Sequence, residues 1–300
     1  MTLDLAALLA ALDTKIDPFL RSLGDAFFRQ VGEARRANIS GNPADAQTET
    51  DLAVERAVMD FLGGLADFPV LSEESAKLDD AREKFAAAPA YWVCDPIDGT
   101  TYFQRLEYGE FSTLLSLVQG GVIVAAWGYW PGETKEADCL IKSLTPDTVL
   151  IDGVPVMPVR TPKMPADYAG RFGISKSAHY VTAEDRATFD ANKKRIGMTA
   201  KPRVPGHSTA LFARGRLDFF AHIGTHPWDF TTMGKFVTAL GGQVYKFDET
   251  RGVHLYEGDV ILDDTMMLAA VMPGIDYNAA IAPLFAGTRW EKTCLLPPPM

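Results

Sequence analysis

An apolar run, Tyr91-Trp92-Val93-Cys94, leads straight into Asp95-Pro96-Ile97-Asp98-Gly99-Thr100, and this junction constrains the chain more than any other segment. The apolar residues read as a buried strand. Aspartate, proline and glycine favour turns, so the strand is expected to end here. Two carboxylates three residues apart emerge at that end, followed at once by a glycine and a hydroxyl. Carboxylate oxygens are what a hard cation such as Mg²⁺ prefers. A glycine lets backbone approach a ligand closely, and exposed N–H groups at a helix start attract phosphate. Metal ligands and an anion cradle in one tight turn point to phosphate chemistry assisted by metal ions.

The 300 residues suffice for one large domain or two small ones. A formal net charge of −10 argues against a general nucleic-acid or anionic-membrane binder, which needs a basic face. It leaves room for a small phosphorylated substrate, because bound cations reverse the local field. Cys94, Cys139 and Cys294 are odd in number and widely spaced, with neither a disulfide framework nor a zinc pattern. A reducing cytoplasm is the simpler expectation. Asp4, rather than a basic segment, precedes the apolar Leu5–Leu12 run, which reads as an amphipathic helix and not a signal peptide. No stretch approaches the length needed to span a bilayer.

Leu8, Leu12, Ile16, Phe19, Leu20 and Leu23 are spaced for one face of an N-terminal helix. Thr48-Glu49-Thr50-Asp51 fits a capping box, with Thr48 as N-cap and Val54, Val58, Phe61 and Leu62 as the buried stripe that follows. Residues 112–118 and 122–127 flank Gly120-Gly121 as a hairpin, and 135–141 and 148–156 are expected to extend the same sheet. Strands are expected at 171–175, 217–222, 243–247 and 266–271. Helices are expected at 182–195, 209–214 and 229–240, the last closed by Gly241-Gly242. A proline-rich stretch, Pro155 to Pro165, separates the two halves, and Pro297-Pro298-Pro299 is expected to be an extended tail.

Four acidic positions stand at element ends, where their side chains can converge: Asp51, Glu73-Glu74, Asp95/Asp98 and Asp229. Each has a plainer reading too. Asp51 and Asp229 suit helix caps, the Asp95/Asp98 pair suits a turn, and Glu74 suits a solvated loop. Together they supply oxygen ligands for more than one divalent cation. Two cations ~4 Å apart neutralise a phosphate dianion, activate a water and stabilise a leaving alkoxide, with no serine or cysteine nucleophile needed.

These residues resemble the inositol monophosphatase family of Mg²⁺-dependent, Li⁺-sensitive phosphatases. Asp95-Pro-Ile-Asp-Gly-Thr100 is similar to that family's first motif. Glu73-Glu74-Ser75 is similar to its Gly-Glu-Glu-Ser segment, with Ser72 in place of glycine, and Thr48-Glu-Thr-Asp51 is similar to its Thr-x-x-Asp segment. Trp228-Asp229, a helix and Gly241-Gly242 are similar to its C-terminal motif. Order and spacing fit from about Asp45 to about Phe247.

The resemblance implies a layered α/β (αβαβα) sugar-phosphatase fold over residues 1–300, with a mixed sheet in a half spanning 1–157 and a second, smaller α/β half spanning 158–300. It implies that Glu73, Asp95 and the Ile97 carbonyl hold one Mg²⁺, that Asp95, Asp98 and Asp229 hold a second, and that Glu73 helps bind a third. It also implies that Thr100 and Asp51 orient and deprotonate a water, that the Gly99 and Thr100 N–H groups grip the phosphate, and that the protein is a homodimer. Ser175-Lys176-Ser177 resembles a Ser-Arg-Ser segment near the family's substrate site, and His207-Ser208 is a further candidate contact.

The sequence departs from the family at two places. Ser40 stands where some members carry a lysine, eleven residues before Asp51. His222 stands seven residues before Asp229, where inositol-hydrolysing members carry a glutamate. An imidazole accepts two hydroxyl protons poorly. The expected activity is therefore a Mg²⁺-dependent phosphomonoesterase acting on a small polyol, inositol or sugar phosphate. Histidinol phosphate and adenosine 3′,5′-bisphosphate are alternative substrates, and a non-enzymatic metal-binding module is the reading outside catalysis.

Overall fold

The computed structural model describes residues 5–41, 47–74, 84–85, 87–156, 172–176, 181–196, 204–248, 252–256 and 265–296. Helix α1 (Leu5–Leu23) buries Leu9, Leu12, Ile16, Leu20 and Leu23, which recur every three or four residues along one face. A π-helical turn, Gly24–Phe28, and a short helix α2 (Glu33–Arg36) follow. Helix α3 (Glu49–Leu65) opens with the expected capping box: Thr48 caps the Thr50 and Asp51 N–H groups while the Asp51 carboxylate accepts from Thr48 N. Phe61 of α3 stacks on Phe19 of α1 with centroids 3.9 Å apart, joining the two helices as one layer.

Seven strands form the first sheet in sequential order: β1 (Val70–Ser72), β2 (Ala90–Asp98), β3 (Ser112–Gln119), β4 (Val122–Trp130), β5 (Cys139–Thr145), β6 (Thr148–Ile151) and β7 (Val154–Val156). The β1–β2 pair is parallel and the others are antiparallel, which makes the sheet mixed. Strand β2 runs further than expected, through both aspartates. Its register with β3 breaks between Asp95 and Asp98 and resumes at Asp98 opposite Ser112. Pro96 has no N–H for the ladder, and its carbonyl accepts instead from Thr113 Oγ1 at 2.9 Å. The chain then turns at Gly99 into the short helix α4 (Thr100–Gln104).

The strand expected over 135–141 begins only at Cys139, because Asp138 anchors a bend. Its carboxylate accepts from Arg29 Nη1 at 2.6 Å, Tyr129 Oη at 2.8 Å and Gly132 N at 2.9 Å. The strand expected over 148–156 is a β6–β7 hairpin, broken at Asp152-Gly153.

The second sheet has the order β11-β10-β12-β9-β8, with β8 (Phe172–Lys176), β9 (Phe219–Thr225), β10 (Gln243–Asp248), β11 (Gly252–Leu255) and β12 (Thr265–Val271). Only its β8–β9 pair is parallel among the described strands. The remaining helices are α5 (Ala183–Arg195), α6 (Pro205–Ala213), α7 (Pro227–Ala239) and α8 (Tyr277–Phe285). Helices α6 and α7 start earlier than expected because Pro205 and Pro227 open their first turns.

These elements stack as five layers. Helices α1 and α3 cover one face of the first sheet in a core that includes Trp92, Leu115 and Trp127. Helices α6 and α7 lie between the two sheets, where Phe230, Met233, Phe236 and Val237 meet Leu114 and Val118 from one sheet and Val244, Leu268 and Ala270 from the other. Helices α5 and α8 cover the outer face of the second sheet through Phe189, Ile281, Leu284 and Phe285. This is the αβαβα order the sequence implied. The three cysteines are free and buried, and no described helix is long and apolar enough to cross a membrane.

Candidate active site

Three carboxylates from two layers converge. Asp95 and Asp98 come from the bulged end of β2, and Asp229 comes from the first turn of α7. One oxygen from each lies within 4.8 Å of the others. Backbone donors hold two of them in place: Gly206 N donates to Asp98 Oδ2 at 2.9 Å, and His226 N donates to Asp229 Oδ2 at 2.8 Å. Asp229 is thus the third residue of α7 and closes its capping box, whereas His226 occupies the cap position for which Asp229 was a candidate.

The electrostatics of this cluster are unfavourable without a cation. Asp95 and Asp98 are 2% and 4% exposed. Burial raises both pKa values, and the charges of Glu73, Asp98 and Asp229 raise that of Asp95 further. The Asp229 charge adds to the rise at Asp98, against which the Gly206 N–H and the Ser112 hydroxyl work. Glu73 follows β1, and its N–H donates to Cys94 O at 3.3 Å, which sets it beside Asp95. Its surface is open to solvent, yet crowding by protein and the Asp229 and Glu74 charges raise its pKa too. Asp95 Oδ1 is buried with no hydrogen-bond partner among the described residues. Oxygen donors only, an orphaned anionic oxygen and mutual repulsion together fit a hard divalent cation such as Mg²⁺.

Asp51 and Thr100 meet beside this cluster. Thr100 Oγ1 donates to Asp51 Oδ1 at 2.9 Å and lies 3.1 Å from Ile97 O. Asp51 is fully buried; its other oxygen accepts from Thr48 N at 2.8 Å and from the Thr48 hydroxyl, and burial raises its pKa. Cap and candidate proton acceptor are therefore the same side chain. Gly99 caps α4 at φ 87°, a left-handed conformation that favours glycine. A Cβ there would also come 3.1 Å from Glu110 O.

The other candidate residues divide. His222 lies on β9, buried, with Nδ1 3.1 Å from Thr225 Oγ1 and 4.0 Å from Asp229 Oδ2. Burial lowers its pKa, with the Asp229 charge opposing. The β8–β9 register sets Ser175 directly beside it. His207 Nδ1 is 3.0 Å from Glu110 Oε2. Ser208 is fully buried, and its hydroxyl donates to the carbonyl of the α6 cap residue Val204 at 3.1 Å. Glu74 is not a free loop residue, since Gln47 Nε2 donates to it. Ser177 and the proline tail lie outside the described residues.

Sequence reasoning missed Gly206. A Cβ at this position would fall 2.2 Å from Ser112 Oγ and 2.4 Å from Asp98 Oδ2. Only a glycine lets this backbone N–H reach Asp98, and the visible signal was its place between Pro205 and His207 at a helix start.

A five-layered α/β protein whose buried carboxylates converge beside a helix start has a donor set of the class that suits hard divalent cations. The particular family follows from comparison: the family model for the inositol monophosphatase family matches residues 19–290, and the chain belongs to that family, whose members are hydrolases of phosphoric monoesters. The 3′(2′),5′-bisphosphate nucleotidase CysQ of Salmonella typhimurium is 31% identical over 113 residues, covering 37% of this chain and 44% of that protein. That match therefore spans less than half the length of the relative. The inositol-1-monophosphatase ImpA of Mycolicibacterium smegmatis is 28% identical over 205 residues, covering 67% of this chain and 69% of that protein. The extragenic suppressor protein suhB from Bartonella henselae shares the fold with a TM-score of 0.71 at 18% identity, over 92% of this chain and 99% of that one.

Proposed function

We propose that this chain is a Mg²⁺-dependent phosphomonoesterase acting on a small hydroxylated metabolite phosphate. The observation that carries this reading is the convergence of Asp95, Asp98 and Asp229 oxygens within 4.8 Å of one another, with Asp95 Oδ1 buried and unpartnered among the described residues. Bound there, about two or three Mg²⁺ ions would supply charge neutralisation and an acidified water. Asp95, Asp98 and Asp229, with Glu73 and the Ile97 carbonyl, would hold them. Thr100 Oγ1 gives its own proton to the hydrogen bond with Asp51 and keeps lone pairs to orient a water. Burial makes Asp51 a stronger proton acceptor than an exposed carboxylate. The Gly99 and Thr100 N–H groups receive phosphate oxygens at the start of α4.

His222 narrows the substrate. Thr225 Oγ1 lies 3.1 Å from both His222 O and Nδ1. With the hydroxyl proton on the carbonyl, Thr225 Oγ1 accepts from Nδ1–H, the tautomer that leaves Nε2 as an acceptor. Burial keeps the ring neutral. A neutral acceptor suits a hydroxyl on the leaving group better than a second phosphate.

The 3′,5′-bisphosphate reading rests on the likeness to CysQ over 113 residues and needs a cation near the second phosphate. A panel of polyol, inositol and sugar phosphates, histidinol phosphate and adenosine 3′,5′-bisphosphate at saturating Mg²⁺ separates the two. Faster phosphate release from the polyhydroxylated esters supports the first reading, faster release from the bisphosphate supports the second, and release from none overturns both. The family likeness extends the proposal to inhibition by millimolar Li⁺ and to a homodimer, and three free buried cysteines suit a cytoplasmic setting.

A further inference from the structure

On the side of α7 away from the metal cage lies a cavity of about 450 Å³. Its walls are Leu5 and Leu9 of α1, Ile123 of β4, Leu144 of β5 and the Tyr256 ring. One basic side chain stands among these lining residues: Lys235, six residues after Asp229 on the same helix.

Lys235 is 7% exposed, and among the described residues its ammonium has neither an ion pair nor a hydrogen bond. Asp147 acts on Lys235 only from beyond ion-pair distance, and its carboxylate accepts from the Thr145 and Thr148 hydroxyls at 3.2 Å each. Burial lowers the lysine's pKa, as a cation short of a counter-charge requires. Its Nζ is not among the fully enclosed polar atoms that lack a partner, so the ammonium faces the cavity space, where an anionic group would be favoured. Val122 beside the cavity is 49% exposed, so an apolar surface lies at its opening.

We propose that this cavity is a second ligand site, one that takes a linear aliphatic carboxylate with its head group on Lys235 Nζ and its chain along Leu9, Ile123 and Leu144. The volume is in the range of small-molecule pockets, and a few polar groups in a mostly apolar wall are the usual recipe for orienting such a ligand. The site shares no residue with the metal cage and stands whether or not the chain hydrolyses phosphate esters.

Calorimetric titration of the full chain with octanoate, octan-1-ol and octylamine tests this, alongside Lys235→Met, which keeps the side chain's length and removes its charge. Octanoate is expected to bind saturably and to raise the melting temperature of the wild type. Lys235→Met is expected to weaken octanoate at least ten-fold while leaving octan-1-ol unchanged. Equal octanoate affinity in both proteins overturns the proposal, as does equal binding of all three chains. If octanoate fails to bind and Val122→Glu turns a dimer into monomers, the groove is a subunit interface and the proposal falls. Should Lys235→Met not fold, competition by octanoate against trinitrophenylation of Lys235 in the wild type is the second readout, and absence of protection overturns it.

Discussion

At the scale of single residues, the site is held under electrostatic tension that a cation relieves. Asp95→Asn removes one of several mutually repelling carboxylates from a buried cluster. It is expected to raise the melting temperature of the metal-free protein at pH 7, as thermal unfolding in EDTA will show; an unchanged or lower value contradicts the repulsion. Gly206→Ala acts the other way. Its Cβ would fall 2.4 Å from Asp98 Oδ2, so either the carboxylate or the α6 start must move. The expected cost is about 1–3 kcal/mol of stability with weakened Mg²⁺ affinity, checked by denaturant unfolding and calorimetry. The carboxylates were legible because each sits beside a separate local signal: a cap, an apolar run, a turn, a Trp. The Gly206 and His226 N–H groups that hold Asp98 and Asp229 were not legible, because a backbone donor leaves no trace in residue type.

At the scale of elements, α3 ties folding to chemistry. Thr48 caps it and also holds one oxygen of Asp51, whose other oxygen takes the Thr100 hydroxyl. Thr48→Ala is expected to cost about 1 kcal/mol and to lower kcat, whereas Thr48→Ser restores both. Urea melts and steady-state rates on any accepted ester will check this, and a kcat loss that serine does not restore would separate the cap from catalysis. This helix was legible because Thr48-x-x-Asp51 and the apolar stripe agree. The extension of β2 through Asp98 was not, since it depends on a register break against β3 that only the paired strand defines. Helix α8 had an Asp276 cap and an apolar 3/4 spacing from Tyr277 to Phe285, a signal that went unread.

At the scale of the whole molecule, the site exists because five layers bring α7 between two sheets and set its first turn against the end of β2. Local pattern marked only a helix over 229–240; its place between two sheets followed from the layered fold that the family resemblance implied. This assembly couples stability to pH. Burial and neighbouring charges raise the folded-state pKa values of Asp95, Asp98 and Glu73. Between the unfolded carboxylate range near about 4 and those raised values, the folded chain holds protons the unfolded chain has lost. Metal-free stability from these groups therefore falls as pH rises through that window. Mg²⁺ removes the penalty and competes with protons, so its effect on the melting temperature should be larger at pH 8 than at pH 5.5; a larger effect at the lower pH contradicts this.

The most direct test is phosphate release by EDTA-treated protein as Mg²⁺ is titrated back in the presence of a sugar phosphate, with wild type and Asp95→Asn side by side. No release without metal, a saturable rise for the wild type and none at any Mg²⁺ concentration for the variant is the predicted result. Release without metal, or undiminished release by Asp95→Asn, would contradict it.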